Sequence, residues 1–326
     1  MYEDFYGLQA KPFLLTPDPR FFFLSSGHKR AMSYMSYGLS QGEGFIVVTG
    51  DIGTGKTTLV KSLFADLDHD KIIAAQLVTT QVDESDLLRL VSAAFGLPFS
   101  GMEKAELLTQ FESFLQAASE QGKRVLLVVD EAQNLPLRSL EELRMLSNYN
   151  FQGDPVLQSF LLGQQEFRIT LQSPKLEQLR QRVIASCDLR PLKSEETKEY
   201  ILHRLRTVGW IDNPALSDDV FVALHKYSGG VPRRLNLLAD RVLLFGFFEE
   251  IHQLTGSQVE EVAAELNEEL SSLSIGKNSE SAELNNSLLH DRDSDLERRV
   301  AKLEEAITVI RQGLSEQVRQ LGRSLD

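Results

Sequence analysis

GDIGTGKT occupies residues 50–57, directly after the apolar run FIVVT at residues 45–49. The octapeptide satisfies G-x-x-x-x-G-K-[ST] at Gly50, Gly55, Lys56 and Thr57. Its setting is as informative as its letters: a strand-like run precedes it and a helix-like run, TTLVKSLFADL, follows. That placement lets successive backbone N–H groups and a helix N-terminus converge on phosphate oxygens. The expected cradle runs Gly50, Asp51, Ile52, Gly53, Thr54, Gly55, Lys56, Thr57 and Thr58. Lys56 is expected to reach the β- and γ-phosphates, and the Thr57 hydroxyl to ligate Mg²⁺.

A phosphate cradle that uses magnesium needs a second oxygen ligand, and VLLVVDEAQ supplies one. Five apolar residues, 125–129, set Asp130 at the end of a buried strand, beside the expected metal with Thr57. Glu131 follows at once and can take a proton from an attacking water. An acid next to the metal carboxylate also implies that another strand lies between the two motifs in the sheet.

Outward from these motifs, short apolar runs alternate with helical spacing as far as residue 190. The runs are FIVVTG (45–50), IIAAQLV (72–78), VLLVVD (125–130), VLQSFLLG (156–163) and VIASCDL (183–189). Continuous apolar strands between helices predict an α/β core with a five-stranded parallel sheet covered on both faces. From about 192 the pattern turns helical, predicting a small lid of about four helices with Ser194, Ser217 and Thr255 as N-caps. Residues 271–291, rich in Ser and Asn, read as a flexible linker. Leu296, Val300, Leu303, Ile307, Ile310 and Leu314 then follow a heptad seam that predicts a C-terminal coiled-coil helix, a single docked amphipathic helix being the alternative. The expected divisions are therefore 1–40, an N-terminal segment; 41–191, the P-loop core; 192–270, the lid; 271–291, the linker; and 292–326, the coiled coil.

Two arginine pairs stand out. In GGVPRRLN, Pro232 opens a helix whose first turn carries Arg233 and Arg234, cations placed against the helix dipole. An anion such as a γ-phosphate gives that placement a reason. In LRQRV, Arg180 and Arg182 precede the last strand; either can serve as a finger reaching a neighbouring subunit's nucleotide, with Arg182 favoured. The chain of 326 residues has a formal net charge of −13, which argues against non-specific nucleic-acid binding. A single cysteine, Cys187, excludes an intrachain disulfide and a cysteine-built zinc site. The acidic start lacks the pattern of a signal peptide, and no run is long enough for a membrane span. The expectation is a cytoplasmic protein, peripheral to the inner membrane at most through a partner.

Together the P-loop, the Asp-Glu strand end, the helical lid and its arginine resemble the AAA+ ATPases. FYGLQAKPFLLTPDPRFFFLSSGHKRAM, GDIGTGKTTL, VVDEAQNL, LRMLSNYNF, LLGQQEF, LRQRV and GGVPRRLN, in that order over residues 1–268, are similar to the general secretion pathway protein A family. Within it they look most like the secretion-ATPase branch of exosortase (PEP-CTERM) loci, which lie beside exopolysaccharide genes. The resemblance implies a sensor role for Gln164, positioning the water or γ-phosphate, and a second sensor role for Arg233. It also implies that PFLLTPDPRFFFLSSGH (12–28) packs near the adenine. The implied catalytic set is Glu131, Lys56, Gln164, Arg233 and Arg182. The implied activity is ATP hydrolysis by a homo-oligomer with Mg²⁺, driving or gating an envelope-associated secretion or exopolysaccharide export system through a protein partner. A DNA-linked ATPase of the transposition or replication-initiation type is the alternative, disfavoured by the charge; a nucleotide-gated scaffold is a third reading, against which Glu131 argues.

Overall fold

Five parallel strands form the centre of the molecule: β1 (Phe45–Gly50), β2 (Ile72–Val78), β3 (Arg124–Asp130), β4 (Leu157–Gly163) and β5 (Val183–Leu189), in the order β2-β3-β4-β1-β5. A computed structural model of the chain describes residues 1–78 and 86–275. The expected linker beyond Ile275 and the heptad seam lie outside the described residues. β1 is buried throughout, and its side chains divide between two apolar layers. Phe45 and Val47 enter the cluster under α4 (Leu87–Ala94), α5 (Lys104–Glu120), α6 (Leu137–Leu146) and α7 (Gln165–Leu171); Ile46 and Val48 enter the cluster under α2 (Ser26–Gln41) and α3 (Lys56–Ala65). Strands buried on both faces need apolar residues at every position, which is why the sequence runs are continuous rather than alternating.

β4 lies between β1 and β3, so the P-loop strand and the Asp130 strand are next-but-one neighbours. Their carboxyl ends, with that of β4, open at the same edge of the sheet, the edge where parallel α/β sheets bind ligands.

Before the sheet, α1 (Tyr2–Tyr6) turns on Gly7. Between α7 and β5 lies the one-turn helix α8 (Glu177–Arg180). After the sheet come α9 (Ser194–Thr207), α10 (Asp218–Ser228), α11 (Pro232–Phe248) and α12 (Gly256–Ile275). The chain divides into a compact unit, Met1–Glu265, and a second unit, Leu266–Asp326, which contributes the end of α12 to the described residues. Strands do not stop entirely after 192: Ala215–Leu216 and Gln253–Leu254 pair in a short parallel ladder. The N-cap of α9 is Lys193, not Ser194. Glu196 accepts from the Lys193 N–H at 3.0 Å and so sets the start one residue earlier. Ser217 does hold the N-cap position of α10, although its hydroxyl makes no bond to the helix's free N–H groups. α12 continues to Ile275, past the linker's expected start at 271; Leu273 and Ile275 interrupt the serines, and serine costs a helix little. No helix among the described residues is long and apolar enough to cross a membrane.

Candidate active site

The loop between β1 and α3 is built on backbone conformations that glycine favours. Gly53 has φ 85° and Gly55 has φ 98°, both left-handed. Space is as restrictive as conformation: a Cβ at Gly53 would lie 2.6 Å from Arg233 Cβ, and one at Gly55 would lie 2.8 Å from His28 Nε2. The Thr54 hydroxyl closes the turn by donating to Asp51 O at 2.9 Å. Lys56 opens α3 and is 6% exposed; its ammonium donates to Gly50 O at 2.7 Å and Asp51 O at 3.0 Å. Burial pulls its pKa below the ordinary lysine value, against the carboxylates of Glu131, Asp130, Asp51 and Asp188.

The second residue of α3 faces the end of β3. Thr57 Oγ1 donates to Asp130 Oδ2 at 3.0 Å, and the Glu131 N–H donates to Asp130 Oδ1 at 3.0 Å. Burial pushes the Asp130 carboxyl above its ordinary pKa, against the hydrogen bonds from Thr57 and the Glu131 N–H. A cation beside it would favour the ionised form. Thr57 and Asp130 together present hard oxygen donors, and among the described residues no three His, Cys, Asp or Glu side chains gather to hold a metal alone. Those two facts fit Mg²⁺, which takes one or two protein oxygens and fills the rest of its shell with phosphate and water.

Glu131 has φ 55°, left-handed and rare for a residue with a Cβ. It ends the strand and turns the chain into a short 3₁₀ turn at Ala132–Asn134. Its Oε2 accepts from Gln164 Nε2 at 3.1 Å and from Gln133 Nε2. Burial alone would raise the Glu131 pKa, but the two amides and the Lys56 charge prevail and hold it below the usual carboxylate range. The carboxylate is thus kept ionised, as a base requires.

A cavity of about 290 Å³ lies over this arrangement. Ile52–Thr58, Glu131 and Arg233 line its phosphate end, and Leu14–Asp18, Phe21–Phe23, Tyr200, Arg204 and Asn236 its far end. Asp130 and Gln164 stand one contact behind the wall, through Thr57 and Glu131 respectively. Gly50 and Asp51 offer carbonyls to Lys56 instead of lining the cavity. Arg233 is exposed, and its backbone N–H donates to Gly53 O at 3.2 Å, which ties α11 to the loop.

The far wall is held by one buried arginine. Arg204 donates from Nε to Pro12 O at 2.6 Å, from Nη1 to Tyr200 Oη at 2.8 Å and from Nη2 to Leu14 O at 3.3 Å. Its guanidinium also lies over the Phe21 ring, 4.8 Å from the centroid. Asn236 Nδ2 donates to Leu14 O at 3.2 Å while its Oδ1 accepts from Tyr200 Oη at 2.7 Å. The N-terminal stretch 12–28 therefore borders the site, whereas residues 2–9 pack on the helical part: Tyr2 Oη donates to Asp240, Tyr6 Oη to Ile251 O, and the Gln9 N–H to Val208 O.

Arg182 sits elsewhere. Its carbonyl accepts from the Phe45 N–H at 2.9 Å, at the amino end of β1, across the sheet from Gly50. Its Nη1 donates to Ser147 O at 3.3 Å and Oγ at 3.2 Å, while Arg180 Nη1 donates to Leu171 O at 3.1 Å. Neither arginine lines this cavity in its own chain.

Three residues at the site are not among the candidates drawn from the sequence: His28, Gln133 and Arg204. His28 lies beneath Gly55, with Nδ1 2.7 Å from Ser25 Oγ.

Residues 39–171 match the family described as AAA domain. General secretion pathway protein A of Aeromonas hydrophila is 35% identical over 267 residues, 82% of this chain and 48% of that protein. The chain thus spans about half the length of that relative. Among solved structures, CDC6P from Pyrobaculum aerophilum aligns with a TM-score of 0.59 at 15% identity, over 81% of this chain and 70% of that one. The ORC1 protein of Aeropyrum pernix, solved in complex with DNA, aligns with a TM-score of 0.57 at 16% identity, over 78% and 69%. At such identities the likeness is one of fold, and the fold is that of the AAA+ ATPases.

Proposed function

From a chain that carries an AAA domain of the AAA+ ATPase type, we propose a member of the general secretion pathway protein A family that hydrolyses ATP to ADP and phosphate. The observation that carries the reading is the meeting of Lys56, the Thr57–Asp130 pair and the ionised Glu131 at one end of a single cavity. Lys56 exchanges the Gly50 and Asp51 carbonyls for phosphate oxygens. Glu131 takes the proton of the attacking water, and Gln164 holds the Glu131 carboxylate. Arg233 brings positive charge to the γ-phosphate from the lid. Thr57 and Asp130 would hold Mg²⁺, which when bound would neutralise charge on the phosphates.

The sensor roles of Gln164 and Arg233, and the division into core, lid, linker and coiled coil, belong to this proposal. So does a cytoplasmic homo-oligomer in which Arg182, or Arg180, acts across the subunit boundary. The 35% identity, over a stretch long enough to span the whole site, supports a partner in an envelope secretion system. Its finer form, an exopolysaccharide export system of an exosortase locus, rests on the N-terminal and lid motifs. The tail would then serve as an adaptor or self-association element.

The test begins with phosphate release by the purified protein with Mg²⁺ and ATP. Tagged Glu131→Gln, expected to bind ATP and stall, is then recovered from the native host beside Lys56→Ala. Envelope or polysaccharide-export proteins enriched only on the stalled form support the proposal. Transposase, replication proteins or nuclease-sensitive DNA on that form would replace it with the DNA-linked reading.

A further inference from the structure

Gln133 belongs to neither the phosphate cradle nor the Asp-Glu pair, yet both ends of its amide are engaged. Nε2 donates to Glu131 Oε2, and Oε1 accepts from the Gln164 backbone N–H at 2.9 Å. Gln164 Nε2 returns to the same Glu131 oxygen at 3.1 Å. The three residues close a ring. Its sense is fixed by chemistry, because an ionised carboxylate only accepts and a backbone N–H only donates, so the Gln133 amide can satisfy both in one orientation alone.

The backbone makes this ring available. The left-handed Glu131 starts the 3₁₀ turn, which is closed by the Asn134 N–H on Glu131 O at 2.9 Å. Ala132, fully buried, pins the turn to the core. The side chain two residues after Glu131 is thereby folded back against it and across to the first residue beyond β4. Gln133 is thus a second link between the end of β3 and the end of β4, beside the direct Gln164–Glu131 bond.

We infer that Gln133 is a positioning residue for hydrolysis: it fixes the Glu131 carboxylate and couples its orientation to Gln164. The inference rests on the ATPase reading above. It acts through Glu131, so its effect must disappear when Glu131 can no longer serve as a base.

The experiment is a mutant cycle in the full chain. Gln133→Ala is expected to lower kcat about tenfold while KM stays within about twofold. The dissociation constant of a non-hydrolysable ATP analogue is expected to stay within the same twofold margin. Gln133→Glu keeps the acceptor for Gln164 N–H but loses the donor to Glu131, so it should be at least as slow. In single-turnover assays, Gln133→Ala in a Glu131→Gln background should be no slower than Glu131→Gln alone. Where Gln133→Ala melts below the assay temperature, Gln133→Met, of similar length, takes its place.

Wild-type or faster turnover by Gln133→Ala would overturn the inference. So would full activity of Gln133→Glu, or a loss that recurs undiminished in the Glu131→Gln background. Wild-type protein that forms no ADP at all would overturn the hydrolysis reading and this inference with it; normal wild-type turnover with an indifferent Gln133 would remove this inference alone.

Discussion

The two ends of the cavity are made in different ways. The phosphate end is built on one loop, residues 50–58, to which Glu131 and Arg233 are added, and the loop's internal bonds are local: Thr54 to Asp51, Lys56 to Gly50 and Asp51. The far end has no local existence. Arg204 reaches Pro12 and Leu14 across 192 and 190 residues of chain, and Asn236 reaches Leu14 across 222. A phosphate needs a particular backbone curve, which a short glycine-rich loop can hold. The far end needs a wall, and the wall appears only when the N-terminal stretch has closed onto α9 and α11. The first end is a motif; the second is a product of tertiary structure.

This contrast can be broken most sharply at Arg204. Arg204→Ala leaves the Pro12 carbonyl without its buried donor and the Leu14 carbonyl with Asn236 alone, and removes the partner of the Tyr200 hydroxyl, at a cost of about 3 kcal/mol. Thermal melting should fall by roughly 6–12 °C. A fall of under about 2 °C would show that the wall stands without this clasp. Lys56→Ala should do the opposite, weakening ATP binding ~100-fold by calorimetry, the loss of a charge-assisted contact of about 2–3 kcal/mol. Melting of the free protein should hold or rise slightly, because burial already disfavours the Lys56 charge. Matching losses of stability and affinity in both variants would erase the distinction.

Arg233→Ala should reduce kcat about tenfold with melting within ~1 °C, since an exposed side chain adds little to the fold. A larger melting shift would make Arg233 part of the wall instead of the chemistry.

The smallest effect sits where the two ends meet. His28 touches the Ser25 hydroxyl, the Phe22 ring, the Thr54 backbone and the field of Glu196. Burial holds its imidazole below the usual pKa. Above about pH 6.5 it is neutral both folded and unfolded. Below that the unfolded chain takes the proton first, so stability drains as pH falls toward the folded value. His28→Gln should flatten that slope in urea titrations compared at about pH 7 and pH 5.5, and an unchanged slope would place the acid sensitivity elsewhere.

Legibility in the sequence follows the same division. Gly50–Thr58 could be read because the requirement is local, and Asp130 because five apolar residues must end somewhere. β1 to β5 were legible to within a residue because strands buried on both faces leave continuous apolar runs. Gln164 was reached through resemblance, but its partner Gln133 was not, since their meeting depends on a left-handed Glu131 that no residue pattern announces. His28 was one of six scattered histidines until α2 docked beneath the loop. Arg204 did carry a faint signal: it falls four residues after Tyr200, on the face where Tyr200, Ile201 and Leu205 are buried. An arginine on an apolar stripe needs acceptors, and these lay in a segment that the helix pattern alone could not bring near. The α9 cap was displaced by one residue because a carboxylate reaching back to Lys193 outweighed the preference for serine.

The bond from the Arg233 N–H to Gly53 O is made by main chain at both ends. Any amino acid but one keeps that joint, so position 233 can exchange its charge while α11 stays tied to the loop at the same point. Proline is the exception, and the first turn of a helix would otherwise accept it. Arg233→Pro would therefore cut the tie as well as the charge, and the difference between it and Arg233→Ala would weigh the joint by itself. Variation in the cation and constancy of the attachment are separable here, which leaves the chain room to retune its chemistry without rebuilding its mechanics.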